Sequence, residues 1–276
     1  MKIIETIHQF EYQCMQSPRP MGLIPTMGNL HKGHMSLIKH AQKDNTSVAV
    51  SIFVNPNQFG PTEDFSTYPR NIKADLDILK NANVDIVFIP SIEEMYPKGF
   101  ATSLDVGLIA TRLEGEFRPS HFNGVATILC KLISMSRPNN IYLGQKDAQQ
   151  CLVIKKLNDD LNLGTQVVIL PTIRDDDGLA ISSRNIHLNE SQRKAAVILY
   201  ESLHVAKNLW HDETKNVEHI KLQMRKVIHT QPLANIDYIS IANVETLEEL
   251  KHKLTPAIAL GAIRIGHTRL IDNIIL

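Results

Sequence analysis

With 276 residues, 43% of them hydrophobic and 21% charged, the chain has the apolar content of a folded protein, and its length admits one large domain or two unequal ones. Its 29 basic residues balance 29 acidic ones, which argues against a nucleic-acid or membrane partner and leaves any anionic ligand to local groups. Three scattered cysteines, Cys14, Cys130 and Cys151, lack a C-x-x-C pair or a nearby histidine at ligand spacing, and so suit buried thiols in a reducing compartment.

Residues 1–11 carry Glu5, His8 and Glu11 where an export signal would be apolar, so a cytoplasmic protein is expected. From there short apolar runs alternate with amphipathic stretches, the pattern of a doubly wound parallel α/β sheet. Residues 21–25 read as a strand, 26–33 as a glycine-containing turn, and Leu37, Ile38 and Ala41 as the apolar face of a helix; 47–54 form the next strand. Residues 55–68 read as an irregular loop, followed by a helix through Leu76 and Leu79 and a strand at 84–89. A strongly apolar helix is predicted at 122–135, a strand at 140–143, a helix to Leu161 and a last strand at 166–170. Residues 171–188 suit a connecting loop, with Gly178 as its hinge, and the domain boundary is placed at 175/176. The remainder predicts a smaller α+β domain, 176–276: one long helix at 191–210, a second at 217–228, and strands at 237–241, 257–265 and 269–275.

The chemistry concentrates at predicted strand ends, where ligands bind in open α/β sheets. Met27-Gly28-Asn29-Leu30-His31-Lys32-Gly33-His34 leads into a helix N-terminus, whose free N–H groups and dipole favour phosphate. Gly33 permits close backbone approach, and His31 and His34 are candidate donors to phosphate oxygens. At an arbitrary position such a pair would be two surface histidines; directly after the first predicted strand, function is the better reading. Ile181-Ser182-Ser183-Arg184 offers two hydroxyls and a guanidinium for an oxygen-rich anion. Alone it is a common solvated loop, but paired with H-x-G-H it resembles the two-signature grip of nucleotidylyl transferases on one triphosphate. Gly144-Gln145-Lys146-Asp147 adds a point charge at Lys146 and a carboxylate suited to a ribose hydroxyl or a Mg²⁺-bound water, though Asp147 could equally be a helix cap. Gln58, after Asn55, can both donate to and accept from a hydroxy acid.

Six stretches together resemble the pantothenate synthetase (pantoate–β-alanine ligase) family along nearly the whole chain: residues 25–34, 51–59, 68–70, 146–150 and 177–185, and Thr268-Arg269-Leu270-Ile271-Asp272-Asn273. The resemblance implies a Rossmann-like first domain, 1–175, that binds ATP and pantoate. It also implies ATP-dependent condensation of (R)-pantoate with β-alanine through pantoyl-adenylate, releasing AMP and pyrophosphate, with Mg²⁺ on the nucleotide, no metal ligands named in the chain, and a homodimer. Carried over by position, His34, His31, Lys146, Arg184, Ser182 and Ser183 are catalytic. Residues 27–34, 144–147, Ile173 and 181–184 line the ATP site, and Gln58, Gln150 and Asn55 hold pantoate, Gln58 also serving β-alanine. Two positions depart from the family pattern: Ser120 stands where glycine is usual, and Gln145 where glutamate is usual. Class I aminoacyl-tRNA synthetases share a similar histidine turn but need a tRNA surface that the charge balance does not suggest. Simple nucleotidyltransferases share it without calling for Gln58 and Gln150, and a regulatory module would bind ATP without forming AMP.

Overall fold

The computed structural model describes residues 1–61, 63–214 and 216–276; Thr62, inside the stretch read as an irregular loop, lies outside the described residues. The chain divides into two compact units, one of residues 1–144 and 149–170, the other of residues 145–148 and 171–276.

In the first unit six strands form one sheet in the order β1-β4-β3-β2-β5-β6, all neighbours parallel. They are β1 (Lys2–Ile4), β2 (Met21–Thr26), β3 (Ser47–Ile52), β4 (Ile86–Phe88), β5 (Asn140–Gly144) and β6 (Gln166–Leu170). The doubly wound parallel sheet expected from the sequence is therefore present. Every residue of β3 is buried, as a central parallel strand requires. The helices are α1 (Ile7–Gln16), α2 (Lys32–Asp44), α3 (Ile72–Asn81), the short α4 (Ile92–Met95) and α5 (Glu114–Phe117), α6 (His121–Ser136) and α7 (Ala148–Asp160). From β2 the chain winds outward to β3 and β4, then returns to β2's other side with β5. That reversal makes the β2–β5 neighbourhood the topological switch point, the place at the strands' carboxyl ends where open α/β sheets bind ligands.

Four first-unit elements escape the sequence reading. α4 and α5 are single turns too short for an apolar period, β1 has three residues, too few to show alternation, and α1 buries only Phe10 and Cys14. Phe10 stacks on Phe88 of β4 with ring centroids 4.2 Å apart, a contact that anchors the helix.

The second unit holds α8 (Glu190–Ala195), α9 (Ile198–Trp210), α10 (Val217–His229) and an antiparallel sheet of β7 (Ala234–Asn243), β8 (Ala257–Ile265) and β9 (Thr268–Ile275). Its core joins Leu199, Leu203 and Trp210 of α9 with Ile220 and Met224 of α10 and Ile239, Ile241 and Ile263 of the sheet. The single long helix predicted at 191–210 is two helices. Ala196 and Val197, both at φ −63° and ψ −24°, tighten one turn toward 3₁₀ geometry, a change that apolar periodicity does not register.

Gly178 is not a free hinge. It closes a hairpin in which Arg174 bridges Ala180 and the Gly178 N–H donates to Asp175 O at 2.9 Å. Its φ is +94°, and a Cβ there would lie 2.1 Å from the Tyr200 ring, so the position is packed inside the second unit.

Candidate active site

Helix α2 begins at the histidine turn, and the two imidazoles themselves cap it. His31 Nδ1 accepts from Gly33 N at 3.2 Å, and His34 Nδ1 accepts from His31 N at 3.3 Å, a reciprocal capping box built from imidazoles. A ring nitrogen that accepts carries no proton, so in the neutral ring the proton sits on Nε2. The two rings lie side by side, 4.1 Å apart between centroids. The sequence suggests free helix amides as phosphate donors; here the amides of His31 and Gly33 are taken up by imidazoles. Gly33 is needed for this arrangement, because a Cβ would lie 2.9 Å from His31 Cε1.

The residues ahead of the histidines are held from a distance. Gly28 (φ +81°) and Asn29 (φ 51°) are both left-handed. Asp75 of α3, 2% exposed, accepts from Asn29 N at 2.9 Å and Leu30 N at 2.7 Å. Thr26 Oγ1 accepts from Gly28 N at 3.1 Å and donates to Ser51 O at 2.8 Å. Sequence reading missed Asp75; it is one of two aspartates in an ordinary amphipathic helix and carries no local signal.

At the neighbouring end of β3, Phe53 N donates to Thr26 O at 3.0 Å, so the loop carrying Asn55 and Gln58 starts beside the histidine turn. Asn55 is wholly buried and its amide is committed within the protein. Its Nδ2 donates to Gln58 Oε1 at 2.9 Å and Gly124 O at 3.1 Å, while Oδ1 accepts from Tyr96 OH at 2.8 Å and Asn57 N at 3.3 Å. Burial pushes the Tyr96 hydroxyl up to about 12, so it stays a donor. Asn55 thereby fixes the orientation of the Gln58 amide through its Oε1. Gly124 lets α6 press against this loop, since a Cβ there would lie 2.1 Å from Asn57 O. A glycine within so apolar a helix was the available signal of close approach.

The Gln58 carbonyl is fixed in turn by His121 Nδ1 at 2.7 Å and Arg118 Nη2 at 3.2 Å. Arg118 Nη1 lies 3.1 Å from His121 Nε2, so His121 is the Nδ1–H tautomer, donating to Gln58 and accepting from Arg118. Burial first, then the Arg118 charge, pushes His121 down to about 4. Arg118 forks onto Glu63 at 2.8 and 2.6 Å. Burial raises the Glu63 carboxyl, but hydrogen bonding and charge from Arg118 outweigh it and leave the carboxyl below its usual range. Ser120, just before α6, sits at φ 68°, the left-handed region that glycine occupies freely.

Gly144 ends β5, and Gln150 is half-buried in the first turn of α7. Its neighbour Gln149 differs: its amide donates to Ile109 O at 2.8 Å and Arg112 O at 2.7 Å, holding the segment that leads to α5.

In the second unit, Ile173 and Ile181 face each other across the Gly178 hairpin, with Ile181 N donating to Ile173 O at 3.0 Å. Ser182 Oγ then accepts from Arg184 N at 3.3 Å and caps the 3₁₀ turn Ser183–His187. Gln145, Lys146 and Asp147 also belong to this unit, with Lys146 Nζ 3.2 Å from Asp147 Oδ1. Among the described residues no three His, Cys, Asp or Glu side chains are grouped to hold a metal ion, and no helix is long and apolar enough to cross a membrane.

A family model for pantoate-β-alanine ligase matches residues 2–275. The chain belongs to the pantoate–β-alanine ligase family. Family members similar to it include the pantothenate synthetase of Roseiflexus castenholzii, 48% identical over 100% of this chain and 99% of that one, and that of Dehalococcoides mccartyi strain ATCC BAA-2266, 51% identical over 93% and 96%. Among solved structures, the Thermus thermophilus pantothenate synthetase superposes with a TM-score of 0.95 at 38% identity, covering 99% of both chains. The Francisella tularensis pantoate–β-alanine ligase, solved in complex with β-γ ATP and β-alanine, gives a TM-score of 0.82 at 37% identity, covering 100% of this chain and 97% of that one. As a pantoate–β-alanine ligase the chain catalyses ATP-dependent formation of pantothenate.

Proposed function

We propose that the Nε2–H groups of His31 and His34 bind ATP phosphates and that the reaction runs in two steps from there. The capping of both imidazoles by their own turn supports this reading: it fixes the two rings side by side at the carboxyl end of β2, with Nδ1 of each accepting from the backbone. In the first step an oxygen of the (R)-pantoate carboxylate bonds to the α-phosphorus as the bond to pyrophosphate breaks. A carboxylate is already ionised at neutral pH, so this step needs charge neutralisation and in-line placement rather than a base. His34 donates to the departing phosphate, with His31, Lys146, Ser182, Ser183 and Arg184 sharing the charge. Gln58 Nε2 and Gln150 orient pantoate, and Asn55 serves by fixing Gln58. In the second step the uncharged amine of β-alanine, also held by Gln58, bonds to the acyl carbon as the bond to AMP breaks, and one amine proton passes to solvent or a phosphate oxygen.

Residues 27–34 and 144–147 with Ile173 and 181–184 form the ATP site, the two isoleucines giving the base an apolar wall. Mg²⁺ fits this donor set as an ion that arrives on the nucleotide, with the Asp147 carboxylate able to take one of its waters; when bound it neutralises phosphate charge. The smaller C-terminal body acts as a lid that shields the adenylate from water. The active form is a homodimer in the cytoplasm.

Pantoate-dependent exchange of labelled pyrophosphate into ATP tests the first step. Exchange is expected with pantoate alone and lost by several orders of magnitude in His34→Ala, with circular dichroism unchanged. Exchange driven by an amino acid, or retained in His34→Ala, rejects the assignment. Compaction in small-angle scattering on adding ATP and pantoate tests the lid.

A further inference from the structure

The stretch Thr268-Arg269-Leu270-Ile271-Asp272-Asn273 carries part of the family resemblance but has no role in the proposed chemistry, yet its last two residues lie on β9 almost without exposure, Asp272 at 5% and Asn273 at 4%. Their polar atoms lead to the lysine turn. Asn273 Nδ2 donates to Gln145 O at 2.8 Å and Lys146 O at 3.0 Å, and its Oδ1 accepts from Gln145 Nε2 at 3.0 Å. Two carbonyls can only accept, so this orientation of the amide is the one the site permits. Both amide hydrogens are used inside the protein, which leaves Asn273 none to offer a substrate.

Asn273 is itself held. Its backbone N–H donates to Asp272 Oδ1 at 2.8 Å, and the Asp272 carboxylate takes a two-pronged grip from Arg174, at 2.5 and 2.9 Å. The same guanidinium donates to Gly178 O at 3.1 Å and lies 4.5 Å from the Tyr200 ring centroid, the ring against which Gly178 packs. Arg174 thus joins β9 to the hairpin that runs directly into Ile181 and the Ser182–Arg184 turn. Gln145 takes part through a side-chain N–H, which the glutamate usual at that position does not have.

We infer that Asn273, braced by the Arg174–Asp272 pair, is a positioning residue that fixes the Lys146 turn relative to the Ser182–Arg184 turn, so that the second unit presents both to ATP as one preformed set. The inference rests on Lys146 gripping ATP phosphate, and its test separates the two claims. ATP dissociation constants are measured by calorimetry on four full-length proteins: the parent, Asn273→Leu, Lys146→Ala and the double variant. Leucine matches asparagine in branching and in number of side-chain heavy atoms and adds no charge that would repel phosphate by itself. Asn273→Leu is expected to weaken ATP about tenfold in the parent, and by less than about twofold once Lys146 is gone.

Equal losses in both backgrounds, or no loss in the parent, overturn the positioning role. ATP affinity unchanged in Lys146→Ala removes the reading of Lys146 and the inference with it. If thermal melting shows that Asn273→Leu does not fold, Arg174→Lys replaces it in the same cycle. That variant keeps the charge and loses the two-pronged grip, and a loss that again depends on Lys146 is expected; a loss independent of Lys146 overturns the inference.

Discussion

Two loops leave adjacent strand ends in the first unit, and they are stabilised in opposite ways. The histidine turn after β2 largely completes itself: Gly33 and His31 supply the amides, and His31 and His34 the acceptors, within four residues. The glutamine loop after β3 depends on remote groups, with Tyr96, Gly124, Arg118 and His121 reaching it across 41 to 69 residues of chain from Asn55 or 60 to 63 from Gln58. Local closure fixes both imidazoles within a short stretch of sequence. Closure at a distance makes the geometry of Gln58 depend on the packing of α4 and α6.

The sharpest way to break this contrast is Gly33→Ala. The new methyl would displace the His31 ring, so kcat/KM should fall about 100-fold, the cost of misplacing a catalytic group by about an ångström. Alanine is the better helix former, so the urea midpoint should hold or rise. A lost fold would show that the turn is not self-sufficient.

The glutamine loop should instead respond to acid through His121. In the unfolded chain a histidine takes up its proton near 6.5, whereas in the fold His121 remains neutral down to about 4. Between those values the unfolded state binds more protons, so stability falls as pH falls through that window. The loss from pH 7 to pH 5 comes to about 2 kcal/mol. Urea unfolding at the two pH values should show a smaller difference in His121→Gln; an unchanged difference would mean that the ring does not carry this loss.

Asn55→Ala should raise KM for pantoate about tenfold while KM for ATP barely moves, because the substitution frees Gln58 and leaves the histidine turn alone. Equal changes in both constants would erase the distinction between the loops. The smallest effect is Ser120→Gly. Relief of the left-handed strain, less the added entropy of the unfolded chain, should stabilise by about 0.5 kcal/mol. No side-chain cap is lost, since Ser120 makes none. A shift in denaturation midpoint reads it.

The same contrast explains what could be read from the sequence. The H-x-G-H turn, the parallel sheet and the smaller second body were legible because each is written in local spacing and apolar period. Asp75, Tyr96 and His121 were not, because their partners lie 41 to 63 residues away and nothing nearby marks them. Asn55 reads from the sequence as touching substrate; it is wholly buried with its amide bonded to Gln58, a placement that the sequence does not reveal. Gly178 was read as a hinge from composition, and the Tyr200 ring that packs on it lies in α9, beyond any local signal.

Asp75 leaves a spectroscopic signature. The amides of Asn29 and Leu30 sit in an irregular segment, where exchange with heavy water is ordinarily fast, yet both point into a buried carboxylate. They should exchange as slowly as sheet amides before any nucleotide is added, and hardly slow further when it binds. Such a profile belongs to a loop finished in advance of its ligand, with little disorder left for binding to remove.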